Sequence, residues 1–188
     1  ALVSEFSDVL SNKPGLTNLV KHDIKLTSSE PIRSRQYAMP FAMRGTIVSE
    51  VQKMKDLGVI EPADSPYCSN IVIVKKSDGT NRFCIDFRAI NRYTVFDAEP
   101  IPDMEDIFVR LSKCEYITKS DLTKGCWQTP LVESAKKYTT FQAPLGLSQF
   151  RVIPFGIVCA SANRRMRKLL KCLNWVENFI DNIIVYTI

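Results

Sequence analysis

Residues 70–87 carry the pattern that most restricts how this chain can fold. Two runs rich in β-branched and aromatic residues, NIVIVKK and RFCIDF, flank the four residues SDGT. Glycine supplies the positive φ that so short a connection needs, and apolar runs on both sides favour paired strands. The segment therefore predicts a β-hairpin whose tip carries the basic residues Lys75, Lys76 and Arg82.

The rest of the chain mixes helical and extended patterns. RGTIVSEVQKMKDLG, closed by Gly58, and PDMEDIFVRLS, with acids in its first turn, have helical spacing. CEYITKSDL predicts a strand that ends at Asp121, and KYTTFQAP and SQFRVIPFG predict a strand pair around Gly146. ASANRRMRKLLKCL predicts a helix before a final hairpin at Asp181. Helices interspersed with antiparallel strand pairs predict an α+β architecture.

Composition excludes several classes of protein. In 188 residues, 45% of them apolar, no apolar run is long enough to cross a bilayer, so no membrane partner and a cytoplasmic location are expected. The seven glycines form neither GxGxxG nor GxxxxGK, which excludes a dinucleotide fingerprint and a P-loop. Six cysteines without CxxC spacing and a single histidine, His22, predict reduced, mostly buried thiols and a histidine on the surface or in a loop.

Asp181 has two interpretations on residue types alone. The pair Asp181-Asn182 lies between the apolar runs WVENFI and IIVYT, and both residue types tolerate the positive φ of a two-residue hairpin turn. Alternatively, Asp181 is a metal-binding carboxylate, which requires a second acid. Asp121 is the candidate, because a polymerase-type Mg²⁺ site needs few carboxylates, although it can also be a plain strand-terminating acid. The residue types leave these alternatives open.

Four segments in order resemble the reverse transcriptase of gypsy-type long-terminal-repeat retrotransposon polyproteins. They are NIVIVKKSDGTNRFCIDFRAIN, ITKSDLTKGCWQTPL, TTFQAPLGLSQFRVIPFGI and WVENFIDNIIVYT. The resemblance implies a reverse transcriptase domain over residues 21–188, with the fingers and part of the palm of a right-hand polymerase. The palm would be an antiparallel sheet backed by helices. Residues 1–20 would be a linker following an upstream protease region, and the thumb, connection and ribonuclease H would be absent.

The resemblance also implies a two-metal site for nucleotidyl transfer. Asp121 matches the first metal-binding aspartate, and Leu122 would lend its backbone carbonyl. Asp181 matches the first aspartate of the family's [YF]xDD box, with Phe179 in the aromatic position. Two Mg²⁺ ions, or Mn²⁺, would be bound there. The box ends in two aspartates in the family, whereas this chain has Asn182 in the second catalytic position.

Five further positions match the family's substrate-binding residues. Lys75 and Arg82 match residues that bind the incoming triphosphate. Phe155 and Gly156 match the segment beside the nucleotide sugar and the template. Cys126 stands where the family carries an aromatic residue that crowds the sugar 2′-position. A small thiol there is expected to weaken discrimination against ribonucleotides.

The expected function is the RNA-directed DNA polymerase domain of a retrotransposon Pol polyprotein, impaired in this copy by Asn182 and by truncation. The alternative is a catalytically inactive, polymerase-derived nucleic-acid-binding module or a relic. Expected partners are an RNA or DNA template-primer, deoxynucleoside triphosphates and the rest of the Pol polyprotein, namely protease, ribonuclease H and integrase. A virus-like particle is the expected location if the chain belongs to an active element.

Overall fold

The computed structural model describes residues 2–7, 11, 13–32, 34–95, 103–158, 170, 172–179 and 182–187. The chain divides into two compact units. The first, here called the hairpin unit, contains residues 16–96 and 126–158. The second, here called the Asp121 unit, contains residues 1–15, 97–125 and 159–188.

The described residues form short helices and antiparallel strands. Their α-helices are Leu2–Glu5, Arg44–Asp56, Arg88–Asn91, Met104–Leu111 and Glu133–Lys136, numbered α1 to α5. Their strands are Ile60–Pro62, Asn70–Lys75, Asn81–Asp86, Tyr116–Asp121, Phe141–Ala143, Gly146–Phe150, Val176–Phe179 and Asn182–Thr187, numbered β1 to β8. Turns of 3-10 helix occupy Phe41–Met43, Gly125–Gln128 and Lys137–Thr139. The strands pair antiparallel in the orders β1-β6-β5, β2-β3 and β4-β8-β7. The predicted α+β class is therefore confirmed.

The hairpin predicted from residues 70–87 is present. Strands β2 and β3 pair from Asn70 opposite Asp86 to Lys75 opposite Asn81. Gly79 has a φ of +80°, and the Asp78 carboxylate accepts the Thr80 amide at 2.8 Å and the Thr80 hydroxyl at 2.6 Å. The local turn chemistry therefore fixes this hairpin, as the sequence predicts.

The two helices predicted from apolar spacing are also present. Helix α2 buries Ile47, Val51 and Met54 and is followed by Gly58 at a φ of +66°. Helix α4 begins after Asp103, whose carboxylate accepts the backbone amide of Glu105 at 2.9 Å. Such a side-chain cap satisfies one of the free amides at a helix start. The predicted helix over ASANRRMRKLLKCL spans residues 160–173, of which 160–169 and 171 lie outside the described residues.

The strand pair around Gly146 is present with shorter strands than the sequence predicts. Strand β6 begins at Gly146, which has a φ of +115°, and ends at Phe150. Beyond it, the Arg151 amide donates to the Val59 carbonyl at 2.9 Å, and the Arg151 carbonyl accepts from the Leu131 amide at 2.8 Å. After Phe150 the backbone therefore no longer pairs with β5 and instead pairs with other segments of the hairpin unit.

Aromatic packing forms the centre of the hairpin unit. Phe141 has no exposed surface, and its ring centroid lies 5.4 Å from that of Phe150 and 6.3 Å from that of Phe83. Phe87, at the end of the predicted hairpin, contacts Phe150 edge-on at 6.3 Å. These rings join β3, β5 and β6 into one core, because each buries a large apolar area against the others.

Two expectations about single residue types are wrong in part. His22 lies outside the named helices and strands, as expected of a loop residue, but it is buried and not on the surface. Its backbone amide donates to the Pro130 carbonyl at 2.8 Å, and its carbonyl accepts from the Val132 amide at 2.9 Å. Among the five described cysteines only Cys68 is buried, whereas Cys172 is exposed and the other three are half-buried. These five form no disulfide with one another, in agreement with reduced thiols. Within the described chain, no helix has the length and apolarity needed to span a membrane.

Candidate active site

The first candidate site lies where β4 meets β8 in the Asp121 unit. These strands pair from Tyr116 opposite Thr187 to Asp121 opposite Asn182. Strand β4 ends at Asp121, as predicted, and Lys124 then takes a φ of +50° in the turn that follows. Asp121 is exposed and Asn182 is half-buried. The last residue of one strand therefore faces the first residue of the other.

Cross-strand geometry brings these two side chains to one face. Directly opposed residues of an antiparallel pair have Cβ atoms roughly 4.5–5.5 Å apart and project to the same side of the sheet. One cation of ordinary size can therefore contact both the Asp121 carboxylate and the Asn182 amide oxygen. Both are hard oxygen ligands of the kind that Mg²⁺ and Mn²⁺ prefer.

The final hairpin differs in register from a turn made by Asp181-Asn182. Asn182 is paired opposite Phe179 and is the first residue of β8, so it belongs to a strand. The interpretation of Asp181-Asn182 as the turn pair is therefore wrong for Asn182. Asp181 lies outside the described residues, and its role as a metal ligand stays a prediction.

Other contacts within the Asp121 unit support the segments around this strand end. Arg110 of α4 forms an ion pair with Glu177 of β7 at 3.2 Å, and the Tyr186 hydroxyl donates to the Asn174 carbonyl at 3.2 Å. The Thr123 hydroxyl, just after Asp121, donates to the Ser11 carbonyl at 3.2 Å. A helix and the first residues of the chain thus support the sheet.

The residues at this strand end offer the types of ligand atom that divalent cations prefer. Across the described residues, no group of three or more histidine, cysteine, aspartate or glutamate side chains is placed to hold a metal ion. The described donors here are one carboxylate, from Asp121, one amide oxygen, from Asn182, and the backbone carbonyl of Leu122. All three are hard oxygen ligands, and Asp181 is the acid adjacent in sequence that would complete the set.

A separate candidate site, in the hairpin unit, is the tip of the β2-β3 hairpin. Lys75 is opposite Asn81 and Arg82 is opposite Val74. Successive residue pairs project to opposite faces of a two-stranded ribbon, so Lys75 and Arg82 leave the ribbon on opposite faces one pair apart. Both cations are exposed. The tip therefore carries positive charge on both faces.

Phe155, Gly156 and Cys126 also lie in the hairpin unit. The Phe155 ring lies 5.9 Å from the Trp127 ring, tilted by 44°. Gly156 has a φ of +93°, and a Cβ there would lie 3.7 Å from the Ile85 carbonyl, so the backbone dihedral rather than space favours glycine. Cys126 is half-buried beside Trp127 in the 3-10 turn Gly125–Gln128.

Sequence reasoning missed two groups of side chains. The Asn91 amide group donates to the Gly156 carbonyl at 2.7 Å and accepts the Val158 amide at 3.0 Å. The second group is an ion pair between Asp86, the last residue of β3, and Arg88, the first residue of α3. Asp86 accepts two hydrogen bonds from the Arg88 guanidinium, at 2.8 and 2.7 Å, one from the Arg88 backbone amide at 3.1 Å and one from the Tyr37 hydroxyl at 3.2 Å. The signal in sequence is the segment DFRAIN, which carries three of these residues.

The bonds from Arg88 lower the pKa of the Asp86 carboxyl to about 2. A carboxyl whose folded pKa lies below its ordinary value of 3.8 adds stability that is present above that value and is lost as the pH falls towards 2. We expect Asp86→Asn to lower the urea midpoint at pH 6, with a difference from wild type that shrinks between pH 4 and pH 2. Asp64→Asn, which changes an exposed aspartate, is the control. A difference that is constant over this range would contradict the assignment.

Comparison with protein families gives a match over the region that carries both candidate sites. The family described as reverse transcriptase (RNA-dependent DNA polymerase) matches residues 73–187. The Pol polyprotein of transposon 297 from Drosophila melanogaster is 35% identical over 184 residues, which cover 91% of this chain and 17% of that protein. The RNA-directed DNA polymerase homolog of Oenothera berteroana is 37% identical over 111 residues, or 57% of this chain and 78% of that protein. The Pol polyprotein of Drosophila transposon gypsy is 29% identical over 177 residues, covering 87% of this chain and 17% of that protein.

The chain is shorter than most of these relatives. It spans between 16% and 20% of the length of three Drosophila Pol polyproteins, those of transposons 297, opus and 412. The matched segment in each is therefore one part of a much longer protein.

Solved structures give the fold. A foamy viral protease-reverse transcriptase in complex with an RNA/DNA hybrid has a TM-score of 0.88 at 23% identity, covering 99% of this chain and 26% of that one. A form of the same viral protein with double-stranded DNA has a TM-score of 0.87 at 23% identity, covering 99% and 34%. The predicted polymerase fold is thereby confirmed. Reverse transcriptases use divalent metal ions. The relatives of this chain include Pol polyproteins of the retrotransposons 297 and gypsy, and the match over residues 73–187 shows that the chain belongs to the reverse transcriptase (RNA-dependent DNA polymerase) family.

Proposed function

We propose that this chain extends a primer on an RNA or DNA template with deoxynucleoside triphosphates, at a rate reduced by Asn182. The observation that carries the proposal is the pairing of Asp121 with Asn182 at adjoining strand ends, next in sequence to Asp181. In this arrangement, Asp121, the Leu122 carbonyl and Asp181 would hold the divalent ions. When bound, Mg²⁺ or Mn²⁺ supplies activation of the primer 3′-hydroxyl and stabilisation of the departing pyrophosphate.

The chain's own residues have the following roles in this proposal. Lys75 and Arg82 neutralise the phosphates of the incoming nucleotide from the two faces of the hairpin tip. Phe155 and Gly156 lie beside its sugar. Cys126 offers little bulk near the 2′-position, which would admit ribonucleotides more readily than an aromatic ring would.

Asn182 is the reason why we expect slow primer extension. An amide retains an oxygen ligand but lacks the full negative charge of a second aspartate. A unit charge pair 4 Å apart at an effective dielectric of 20 interacts with about 4 kcal/mol. If about a third of this is compensated by solvent and neighbouring groups, about 2.7 kcal/mol remains and the chemical step slows by roughly a hundredfold. Slow extension is therefore expected.

Primer extension tests the proposal. The 188-residue chain is incubated with a labelled primer on an RNA template, the four deoxynucleotides and either Mg²⁺ or Mn²⁺. We expect slow, metal-dependent elongation that Asp121→Asn abolishes. Elongation unchanged by Asp121→Asn would contradict the assignment of Asp121, and elongation at the rate of an active reverse transcriptase would contradict the role of Asn182.

A second candidate function is a binding module that holds a template-primer without chemistry. The exposed basic tip of the β2-β3 hairpin favours it, because nucleic acids are bound largely through their phosphates. The absence of metal-dependent elongation together with tight binding would support this module over the polymerase.

Salt dependence tests the hairpin in either function. We expect the affinity for a labelled template-primer to fall steeply with salt, and Lys75→Ala and Arg82→Ala each to reduce the slope of log Kd against log salt by about 0.7–0.9. Fluorescence anisotropy between 50 and 200 mM salt, roughly the range over which such contacts weaken, measures this slope. Lys53→Ala removes an exposed lysine that pairs with Glu50 at 2.7 Å, and should leave the slope unchanged. Equal slopes in all variants would exclude the hairpin as a phosphate contact.

A further inference from the structure

Asn91 bridges two backbone groups of a segment 65 residues away in sequence. Its amide nitrogen donates to the Gly156 carbonyl at 2.7 Å, and its amide oxygen accepts from the Val158 backbone amide at 3.0 Å. One side chain therefore closes a ring with the backbone between residues 156 and 158. Both bonds lie within the hairpin unit.

The bridged segment is exposed between two anchored ends. Pro154 and Ile157 are buried, whereas Phe155 and Gly156 between them are exposed. Gly156 has a φ of +93°, a conformation that other residues rarely adopt. The tilted ring contact between Phe155 and Trp127 and the Asn91 bridge both act on this exposed pair.

The helix that carries Asn91 is fixed independently of the bridge. Phe87, just before α3, and Ile90, within it, are each 1% exposed, and the Asn91 backbone amide donates to the Phe87 carbonyl at 2.8 Å. The Asn91 side chain is half-buried at the end of this helix. Its replacement would leave the helix in place and release residues 156–158.

Among side chains as short as that of Asn91, only an amide can both donate to the Gly156 carbonyl and accept from the Val158 amide. The isosteric carboxylate introduced by Asn91→Asp could accept the Val158 amide, but it has no proton to donate and would bring an oxygen close to the Gly156 carbonyl. Alanine would remove both bonds. Asn91→Asp and Asn91→Ala therefore separate the two halves of the bridge.

We propose that Asn91 is a positioning residue that holds Phe155 and Gly156 in the conformation that contacts the incoming nucleotide. This inference rests on the proposed function, since it takes residues 155–156 as part of the nucleotide site. Asn91 itself acts through the backbone and does not touch the substrate. The bridge fixes the carbonyl of Gly156 and the direction of the chain after it, and so sets how Phe155 presents its ring.

The kinetic test uses primer extension in the Asn182→Asp background, where elongation is fast enough to measure. We expect Asn91→Ala and Asn91→Asp to raise the KM for deoxynucleotide about tenfold, because each loses at least one hydrogen bond that orders the site. The kcat and the Kd for template-primer should stay within about twofold of the parent. Asn18→Ala, at an exposed asparagine, is the control and should change neither constant. An unchanged KM in both variants, or a loss of kcat alone, would overturn the proposal.

Amide hydrogen exchange of Val158 gives a second readout that needs no activity. We expect its protection to fall at least roughly tenfold in Asn91→Ala and to be largely retained in Asn91→Asp, which keeps the acceptor. Unchanged protection in Asn91→Ala would overturn the bridge itself. If no chain extends a primer, including Asn182→Asp with intact Asn91, the proposed function fails, whereas the exchange result still decides whether Asn91 holds this segment.

Discussion

Asn182→Asp is expected to increase the rate of primer extension by roughly a hundredfold. The substitution places a carboxylate directly opposite Asp121 and next in sequence to Asp181. It adds one negative charge where divalent cations would be bound, at nearly constant side-chain volume. Single-turnover elongation of one deoxynucleotide in Mg²⁺ measures the effect on chemistry without the contribution of product release.

Two controls separate a local effect from an effect of net charge. Thr187→Asp adds the same charge to an exposed position at the other end of β8, roughly 17 Å away at 3.3–3.4 Å per residue, and should leave the rate unchanged. Asp121→Asn combined with Asn182→Asp should remove the gain. A rate increase in Thr187→Asp, or no increase in Asn182→Asp, would contradict the proposal that the missing carboxylate at position 182 slows extension.

Phe141→Ala is expected to lower the free energy of unfolding by about 3–5 kcal/mol. Phe141 is fully buried, and its ring contacts those of Phe83 and Phe150, so alanine leaves a cavity in the centre of the hairpin unit. Urea unfolding followed by tryptophan fluorescence gives the midpoint and its slope. A loss this large would leave little of the roughly 5–15 kcal/mol that ordinary domains possess.

The matched control is a phenylalanine on the surface. Phe41 is 84% exposed, and Phe41→Ala should change the stability by no more than about 0.5 kcal/mol. A sharp transition in the wild type that Phe141→Ala shifts and Phe41→Ala does not would exclude a poorly folded relic. A broad transition that is equally insensitive to both substitutions would support the relic and contradict the packing described above.

Local chemistry explains which elements could be predicted from sequence. The hairpin of residues 70–86 follows from SDGT and its flanking runs, and helix α4 follows from apolar spacing with Asp103 at its start. The expectation of a surface position for His22 is wrong because its burial depends on pairing with residues 130–132, more than a hundred positions away. No local pattern reports such a contact.

The candidate site shows the same division between local and distant information. Asp121 can be found because a strand and a family motif end there, but its register opposite Asn182 depends on two strands about sixty residues apart. Asn91 escapes sequence reasoning because its importance lies in hydrogen bonds to Gly156 and Val158, which the sequence around it does not encode. Residue types in the sequence therefore identify the candidate acidic and basic site residues. The residues that orient the site can be identified only from the structure.

Paramagnetic broadening by Mn²⁺ tests most directly whether the strand end that joins Asp121 and Asn182 binds divalent metal. In amide spectra of the isotopically labelled chain with template-primer, trace Mn²⁺ should weaken the signals of residues 120–122 and 182–183 together. Signals of Tyr116 and Thr187, at the far end of the same strand pair, should persist at that concentration, and Asp121→Asn should prevent the broadening. Strongest broadening in another part of the chain, or broadening at this strand end that survives Asp121→Asn, would contradict the metal site on which the proposed polymerase chemistry depends.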